Sequence, residues 1–270
     1  MSGAEASDPM QVDRPAHPSI AELREVTQPP IVRTRAGAEH WVAALYLRDI
    51  SPYLTRVLLR TGISANAVTG LMVGTAAVAA LVTAWPGLPT AVVVVLLCQL
   101  QMLLDCCDGE IARWRETYSP RGVYLDRIGH YTAECGISVA LGVRVGGPHL
   151  GSVWVSLGLL LGLLVALNKV ENDLVHVSRH YAGMEQVRDA EVVKVPTGGL
   201  LRTARRAARF VPFHRVFHSI ELSLLILLAA LLDLWFGGLA TQWLLVGLVV
   251  AAAVTVVGHL AAVLSSSRLR

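Results

Sequence analysis

Six apolar runs recur along the chain, and each approaches the roughly 20 residues that a helix needs to cross a bilayer. They cover residues 68–85, 88–104, 123–143, 151–167, 220–236 and 239–264. The third run is the least hydrophobic, because charged side chains interrupt it. This pattern predicts an all-α integral membrane protein with six transmembrane helices.

The first 36 residues differ from the apolar runs. Residues 1–36 contain five prolines and few large apolar side chains. Such a composition is typical of a chain that cannot bury enough apolar surface to fold. We therefore predict a disordered tail for residues 1–36 and a six-helix membrane domain for residues 63–270.

The segment between the tail and the first run, residues 37–62, mixes apolar side chains with Arg48, Arg56 and Arg60. Pro52 is expected to break it into two short pieces. Two placements are open. The preferred one is a juxtamembrane amphipathic segment that lies in the interface with its arginines towards water, and the alternative is a cytosolic helix packed on the membrane domain.

Lysine and arginine are unevenly distributed between the connections of the six runs. They concentrate before the first run, between the second and third, in residues 168–217 and at the end of the chain, whereas the other connections are nearly free of them. By the positive-inside rule, both termini and the basic connections are expected in the cytoplasm of a cell-membrane protein. An even number of spans agrees with that topology.

Composition supports the membrane prediction and argues against other classes. The chain is 54% hydrophobic and only 16% charged, with a net charge of +3 and a mean hydropathy of +0.54. The positive charge follows from topology and anionic lipid, and no pattern for nucleic-acid binding accompanies it. The four cysteines have no C-x-x-C spacing, so neither a disulfide framework nor a zinc site is indicated.

A polar stretch follows the second run. On a helix, Asp105, Asp108 and Ala112 fall at i, i+3 and i+7, and Gly109 lies one turn beyond Asp105, so all four share one stripe. Two carboxylates there suit a divalent cation, and the glycine and alanine leave the stripe free of bulk. Arg113 adds a fork of donors that fits phosphate oxygens.

A matching stripe begins the third run. Gly122, Asp126 and His130 recur every four residues, after a Ser-Pro start signal that predicts a helix from Pro120. The two stripes therefore meet as one oxygen-rich pocket at the cytoplasmic ends of adjacent helices. The alternative is a charged cluster of helix ends, in which the carboxylates pair with Arg113, Arg115, Arg121 or Arg127.

The pattern D-x2-D-G-x2-A-R-x8-G-x3-D-x3-H, from Asp105 to His130, resembles the signature of the CDP-alcohol phosphotransferases, also called CDP-alcohol phosphatidyltransferases. That signature reads D-x2-D-G-x2-A-R-x8-G-x3-D-x3-D. Seven of its eight positions match at the right spacing, and His130 replaces the last aspartate. The six spans and the interfacial leader also look like the architecture of this family.

The resemblance implies a transferase of phospholipid biosynthesis. It would move a phosphoalcohol group, such as phosphatidyl, from a CDP-alcohol such as CDP-diacylglycerol to an acceptor alcohol, with release of CMP. It implies Mg²⁺ or Mn²⁺ as cofactor and a homodimer as the assembly. The implied site residues are Asp105, Asp108 and Asp126 for the metal, with His130 as a further metal ligand, and Asp105, Gly109, Ala112, Arg113 and Gly122 for the CDP donor.

His130 stands where the family has its general base. Imidazole is neutral at cytosolic pH and is intrinsically a stronger base than a carboxylate, so His130 is the candidate catalytic base. Two alternatives stay open: a metal ligand that tolerates Mn²⁺ better than Mg²⁺, or loss of the usual activity. Glu134, one turn further, is expected to accept the other ring N–H and orient the imidazole.

The acceptor is the least specified part of the sequence. Arg202, Arg205, Arg206 and Arg209 recur at three- and four-residue steps and share one helix face. They suit a phosphorylated acceptor such as inositol phosphate or glycerol phosphate, or else form a polybasic helix on anionic lipid. His214, His218 and Glu221 are further candidates for the acceptor cavity, and Asn66 and Thr69 for the nucleotide.

Two other functions compete with the transferase. Membrane prenyltransferases also bind diphosphate through Asp-rich helices and Mg²⁺, but the Gly-x2-Ala-Arg ending argues against them. The second alternative is a non-enzymatic paralogue or a transport protein whose intramembrane acids bind ions.

Overall fold

The computed structural model describes residues 14–15, 17–33, 42–184, 213–265 and 269. Regular structure within these ranges is helical. Two short helices come first, a juxtamembrane helix follows, and six long helices complete the chain. They are α1 (Ile20–Thr27), α2 (Pro30–Arg33), α3 (Arg48–Arg60), α4 (Ala65–Thr83), α5 (Leu88–Arg115), α6 (Pro120–Gly146), α7 (Val153–Tyr181), α8 (Ser219–Phe236) and α9 (Leu239–Ser265). A π-helical turn, Ala43–Leu47, precedes α3, and a 3₁₀ turn, Phe213–Phe217, precedes α8.

The long helices confirm the predicted all-α membrane architecture. Five of them, α4, α5, α7, α8 and α9, are long and apolar enough to cross a membrane. The sixth, α6, has 27 residues, which corresponds to about 40 Å at 1.5 Å per residue. It carries the charged side chains that made the third run the least hydrophobic, so it matches a span by length but not by hydropathy.

Close helix packing determines where α6 lies. It packs between α4 and α7, and α4 also contacts α5. At the crossing of α6 and α7, a Cβ added to Gly142 would lie 2.7 Å from the Cα of Gly158, and the reverse substitution would meet Gly142 at the same distance. Only glycine permits such a contact between backbones.

Arg144 anchors the far end of α6. Its side chain is buried and donates hydrogen bonds to the carbonyl oxygens of Trp85 (2.5 Å) and Gly87 (2.6 Å) and to the Thr90 hydroxyl (3.2 Å). The two carbonyls belong to the connection between α4 and α5, and Thr90 lies in the first turn of α5. Because a helix is stiff along its axis, this anchor sets the register of α6 against its neighbours down to its first turns.

The helix start predicted at Pro120 is confirmed, and α4 starts with the same kind of serine cap. The Ser64 hydroxyl accepts from the backbone N–H of Ala67 at 3.2 Å, and α4 begins at the next residue. The Ser119 hydroxyl accepts from the N–H of Gly122 at 3.0 Å, and α6 begins at Pro120. Both satisfy N–H groups that have no partner within the helix.

Two predictions for the N-terminal part are wrong. Residues 17–33 are not a disordered tail, because α1 has a reciprocal Ser19–Glu22 cap and its Leu23 is fully buried. Leu23 belongs to a buried cluster with residues of α3, α4 and α5. The few apolar side chains of this segment are enough to order it, because they pack against an apolar surface that the other helices provide.

Pro52 does not break the juxtamembrane segment, since α3 runs through it. Proline cannot donate to the carbonyl four residues earlier, which here belongs to Arg48. That carbonyl instead accepts from the side-chain amide of Gln28 at 2.6 Å. Ile50, Tyr53 and Val57 form an exposed apolar stripe on α3, which supports an interfacial position.

Candidate active site

The two polar stripes of the sequence meet where α5 ends and α6 begins. The Nε2 atom of His130 lies 3.4 Å from an Asp105 oxygen and 3.5 Å from an Asp126 oxygen. One ligand atom from each residue falls within 4.8 Å of the other two. All three side chains are partly exposed, between 21% and 40%, so a substrate can reach them.

The charged-cluster alternative receives little support. Three of the four candidate arginines bond elsewhere. Arg113 donates to the carbonyl of Thr27, Arg115 to those of Leu59 and Ile63, and Arg127 pairs with Asp173 on α7. Asp105 and Asp126 both pair with His130.

The three groups fit a divalent cation. Such an ion, with ligands about 2.1 Å away in octahedral geometry, holds neighbouring ligand atoms about 3 Å apart. The distances of 3.4 and 3.5 Å from His130 to the two carboxylates are within about half an ångström of that spacing. Oxygen ligands suit Mg²⁺ and Mn²⁺ alike, and an imidazole nitrogen shifts the balance towards Mn²⁺.

Asp108 lies beside this cluster and not within it. Its carboxylate accepts a hydrogen bond of 2.6 Å from the Thr69 hydroxyl of α4. Thr69 itself is buried. The sequence predicts Asp105, Asp108 and Asp126 as metal ligands with His130 as a further candidate, and the structure groups Asp105, Asp126 and His130. A metal role for Asp108 stays a prediction.

The helix surface next to the cluster consists of small residues, and polar side chains pack closely on two of its glycines. A Cβ on Gly122 would lie 2.9 Å from the Asn66 side-chain oxygen. A Cβ on Gly109 would lie 3.1 Å and 3.2 Å from the terminal nitrogens of Arg113, so the guanidinium lies over this glycine. Asn66 and Thr69, the candidates for the nucleotide, are both at the site. Ala112 is half-buried on the same stripe of α5.

Sequence reasoning missed Glu110, which lies within the motif. Its side chain is fully buried. It accepts hydrogen bonds from the Ser51 hydroxyl (2.5 Å), the Thr55 hydroxyl (2.6 Å) and the Gln28 amide (2.8 Å). The available signal was the helical period, because Glu110 falls on the side of α5 away from the metal stripe.

The N-terminal segment also caps the end of α5. Arg14 donates to the carbonyl of Trp114 at 2.7 Å and pairs with Glu116 at 2.7 Å. The N-terminal segment, which the sequence predicts to be a disordered tail, therefore contacts the helix that carries the motif.

Glu134 does not take the role expected for it. Its buried carboxylate pairs with Lys169 of α7 at 3.0 Å. Lys169 also lies over the ring of Tyr131, 5.4 Å from its centre. Glu134 thus joins α6 to α7, and the orientation of His130 comes from Asp105 and Asp126.

The candidate acceptor residues are described only in part. His218 precedes the first residue of α8, and Glu221 lies in its first turn. The four arginines Arg202, Arg205, Arg206 and Arg209 lie outside the described residues, as does the side chain of His214.

Comparison with known proteins gives one family match. The family described as CDP-alcohol phosphatidyltransferase matches residues 62–204, which is more than half of the chain. The matched range includes every site residue from Asn66 to His130. No curated protein matches the chain.

Proposed function

Because the chain belongs to the CDP-alcohol phosphatidyltransferase family, we propose that it moves a phosphoalcohol group from a CDP-alcohol to an acceptor alcohol and releases CMP. The donor class we propose is CDP-diacylglycerol or a related CDP-alcohol, in phospholipid biosynthesis. One observation carries the proposal: Asp105, Asp126 and His130 converge, beside a helix surface of small residues, at a spacing that fits a divalent cation.

Asp105 and Asp126 would hold the Mg²⁺ or Mn²⁺ ion, with Asp108 and His130 as further candidate ligands. When bound, the cation would offset the negative charge that builds on the diphosphate as CMP leaves. Thr69 orients Asp108 through the 2.6 Å hydrogen bond. These carboxylates also repel the donor's own negative charge, so donor binding would depend on the ion.

The CDP donor would lie on the surface formed by Gly109, Ala112 and Gly122. Larger side chains at Gly109 and Gly122 would displace Arg113 and Asn66, because an added Cβ would lie 3.1 Å from the Arg113 guanidinium and 2.9 Å from the Asn66 oxygen. Arg113 places its two terminal nitrogens over Gly109, where they suit the oxygens of a diphosphate.

His130 is the proposed general base. The acceptor hydroxyl would lose its proton to Nε2 of His130 as its oxygen forms a bond to the phosphorus of the transferred group. The bond from that phosphorus to the CMP oxygen breaks, and CMP takes the electron pair. Asp105 and Asp126 would stabilise the imidazolium that results, since both face Nε2.

The proposed acceptor is an alcohol or a polyol phosphate, such as inositol phosphate or glycerol phosphate. Replacing Arg202, Arg205, Arg206 and Arg209 by alanine would then raise the KM of phosphorylated acceptors and leave free polyols unaffected. An equal loss with both kinds of acceptor would favour the alternative of a lipid-binding helix.

We also propose a homodimer in the cell membrane, with both termini and the site in the cytoplasm. Crosslinking in native membranes tests the assembly. Labelling of single cysteines added at each terminus tests the topology.

The decisive experiment is a CMP-release screen of the purified protein with Mn²⁺ and with Mg²⁺. CDP-diacylglycerol, CDP-inositol and CDP-glycerol are crossed with free and phosphorylated polyols. Asp126→Asn is expected to abolish release, and Glu25→Gln, on the exposed face of α1, serves as a control that removes a carboxylate elsewhere. No CMP from any pair would refute the proposal and favour the non-enzymatic alternative. A prenyl diphosphate in the same screen tests the prenyltransferase alternative.

A further inference from the structure

The back of α5 carries a carboxylate that the proposed chemistry does not use. Successive helical residues are about 100° apart, so Glu110 lies nearly opposite the stripe of Asp105 and Asp108. It is fully buried. Two of its three described donors lie on α3, and the third is Gln28, which caps the C-terminal end of α1. A buried carboxylate is costly unless it is hydrogen-bonded, so these bonds stabilise one arrangement of the three helices.

Gln28 joins these helices through one side-chain amide. Its Nε2 donates to the carbonyl of Arg48 at 2.6 Å, the acceptor that Pro52 leaves without a helical partner, and to Glu110 at 2.8 Å. The preceding residue, Thr27, accepts at its carbonyl from Nε of Arg113 at 2.5 Å. The end of α1 is therefore bonded to α3 and, at two points, to the motif helix.

We infer that Glu110 and Gln28 are positioning residues of the donor site. They hold α1 and α3 against the back of α5, and the Thr27 carbonyl then holds Arg113 over Gly109, where we propose that the donor diphosphate binds. The inference rests on the proposed function. It extends the functional unit to residues before position 62, where the family match begins.

The physical reason is the difference between apolar contact and directed bonds. The apolar cluster around Leu23, Leu59 and Ile111 brings the three helices together, but it tolerates small rotations. Three hydrogen bonds to one carboxylate fix the rotation of α5 against α3, and a bond to Nε fixes the guanidinium plane of Arg113. A small rotation would carry Arg113 away from the diphosphate without unfolding the protein.

The first test is donor binding by the full chain. Gln28→Ala is expected to weaken CMP binding in the presence of Mn²⁺, and to raise the donor KM, by about tenfold, the effect of losing one hydrogen bond to a charged group. The kcat is expected to stay within about twofold, because the cluster of Asp105, Asp126 and His130 is not touched.

Two variants separate positioning from general stability. Glu110→Gln keeps the shape and one acceptor oxygen, so it should restore most of the affinity that Glu110→Ala loses. Thr241→Val removes a buried hydroxyl that bonds Asp233 at the opposite end of the bundle. It should lower thermal stability and leave CMP affinity unchanged.

The second test does not depend on activity. The Cys107 thiol is fully buried and faces the carbonyl of Ser51 at 3.7 Å, so it reports on the contact of α3 with α5. Maleimide labelling, mapped by mass spectrometry, is expected to rise severalfold at Cys107 in Gln28→Ala. Buried Cys98 is the internal standard.

The outcomes distinguish the two proposals. If the wild-type protein binds CMP and Gln28→Ala binds it with the same affinity, the positioning role is refuted and the proposed function is not. This holds whether or not Cys107 becomes reactive. A fall in kcat as large as the rise in KM also refutes it, since that is the effect of general destabilisation. A wild-type protein that binds no CMP refutes the proposed function itself, and the positioning role with it.

Discussion

Replacing His130 by alanine separates its two candidate roles. The variant removes a group whose Nε2 lies 3.4 and 3.5 Å from the carboxylates of Asp105 and Asp126. Those carboxylates then face each other across at most 4.8 Å. At an effective dielectric constant of about 20 their repulsion is about 3.5 kcal/mol, which solvent screening at these partly exposed groups reduces to about 1–2 kcal/mol.

A divalent cation relieves this repulsion. If His130 is a base only, His130→Ala therefore retains Mn²⁺ affinity or gains up to about tenfold, while turnover loses the contribution of a general base, about 10²–10⁴-fold in kcat. Mn²⁺ titration followed by electron paramagnetic resonance measures the Mn²⁺ affinity, and CMP release at saturating Mn²⁺ measures turnover.

The controls extend the test. His130→Asp restores the family signature and is expected to be active, with Mg²⁺ required at lower concentration because the site gains a negative charge. His176→Ala, on the exposed surface of α7, should change neither quantity. A kcat of His130→Ala within threefold of wild type would refute the base, and a parallel loss of Mn²⁺ affinity and turnover would make His130 a metal ligand.

Two further predictions concern the surroundings of the site. Gly122→Ala places a Cβ 2.9 Å from the Asn66 oxygen and should raise the donor KM about tenfold, because Asn66 must move. Gly151→Ala, which meets open space, should leave the KM unchanged. Equal KM values in the two variants would contradict a donor-binding role for Gly122. Lys169→Met leaves the buried carboxylate of Glu134 without its 3.0 Å partner and should cost about 3 kcal/mol of stability, measured by thermal unfolding in detergent. Adding Glu134→Leu should recover that loss, and a melting temperature unchanged in the single variant would contradict it.

The helices and their starts were predictable because their signals are local. Long apolar runs, the serines at positions 64 and 119, and glycine and carboxylate spacing all act within a few residues of one another. The helix α6 is less hydrophobic than the other five long helices because it carries polar residues of the site. Pairing of the two stripes was also predictable, since a short loop between two helices makes them antiparallel neighbours.

The N-terminal prediction failed because the relevant partners are distant in sequence. Pro52 was expected to break α3 because it cannot donate a hydrogen bond to the carbonyl of Arg48. Gln28 donates that bond instead. The same distance hid Glu110, whose donors lie 55 to 82 residues earlier.

The sequence by itself determined the membrane class, the helices and the family signature, because periodicity and motif spacing are properties of short segments. Only the tertiary structure decided which of the predicted site residues contact one another. It placed His130 between Asp105 and Asp126, directed Asp108 to Thr69, and gave Glu134 to Lys169. The physical reason is that hydrogen bonds and ion pairs are sensitive to changes of a few tenths of an ångström in the distance between their atoms. Those distances are set by how whole helices pack.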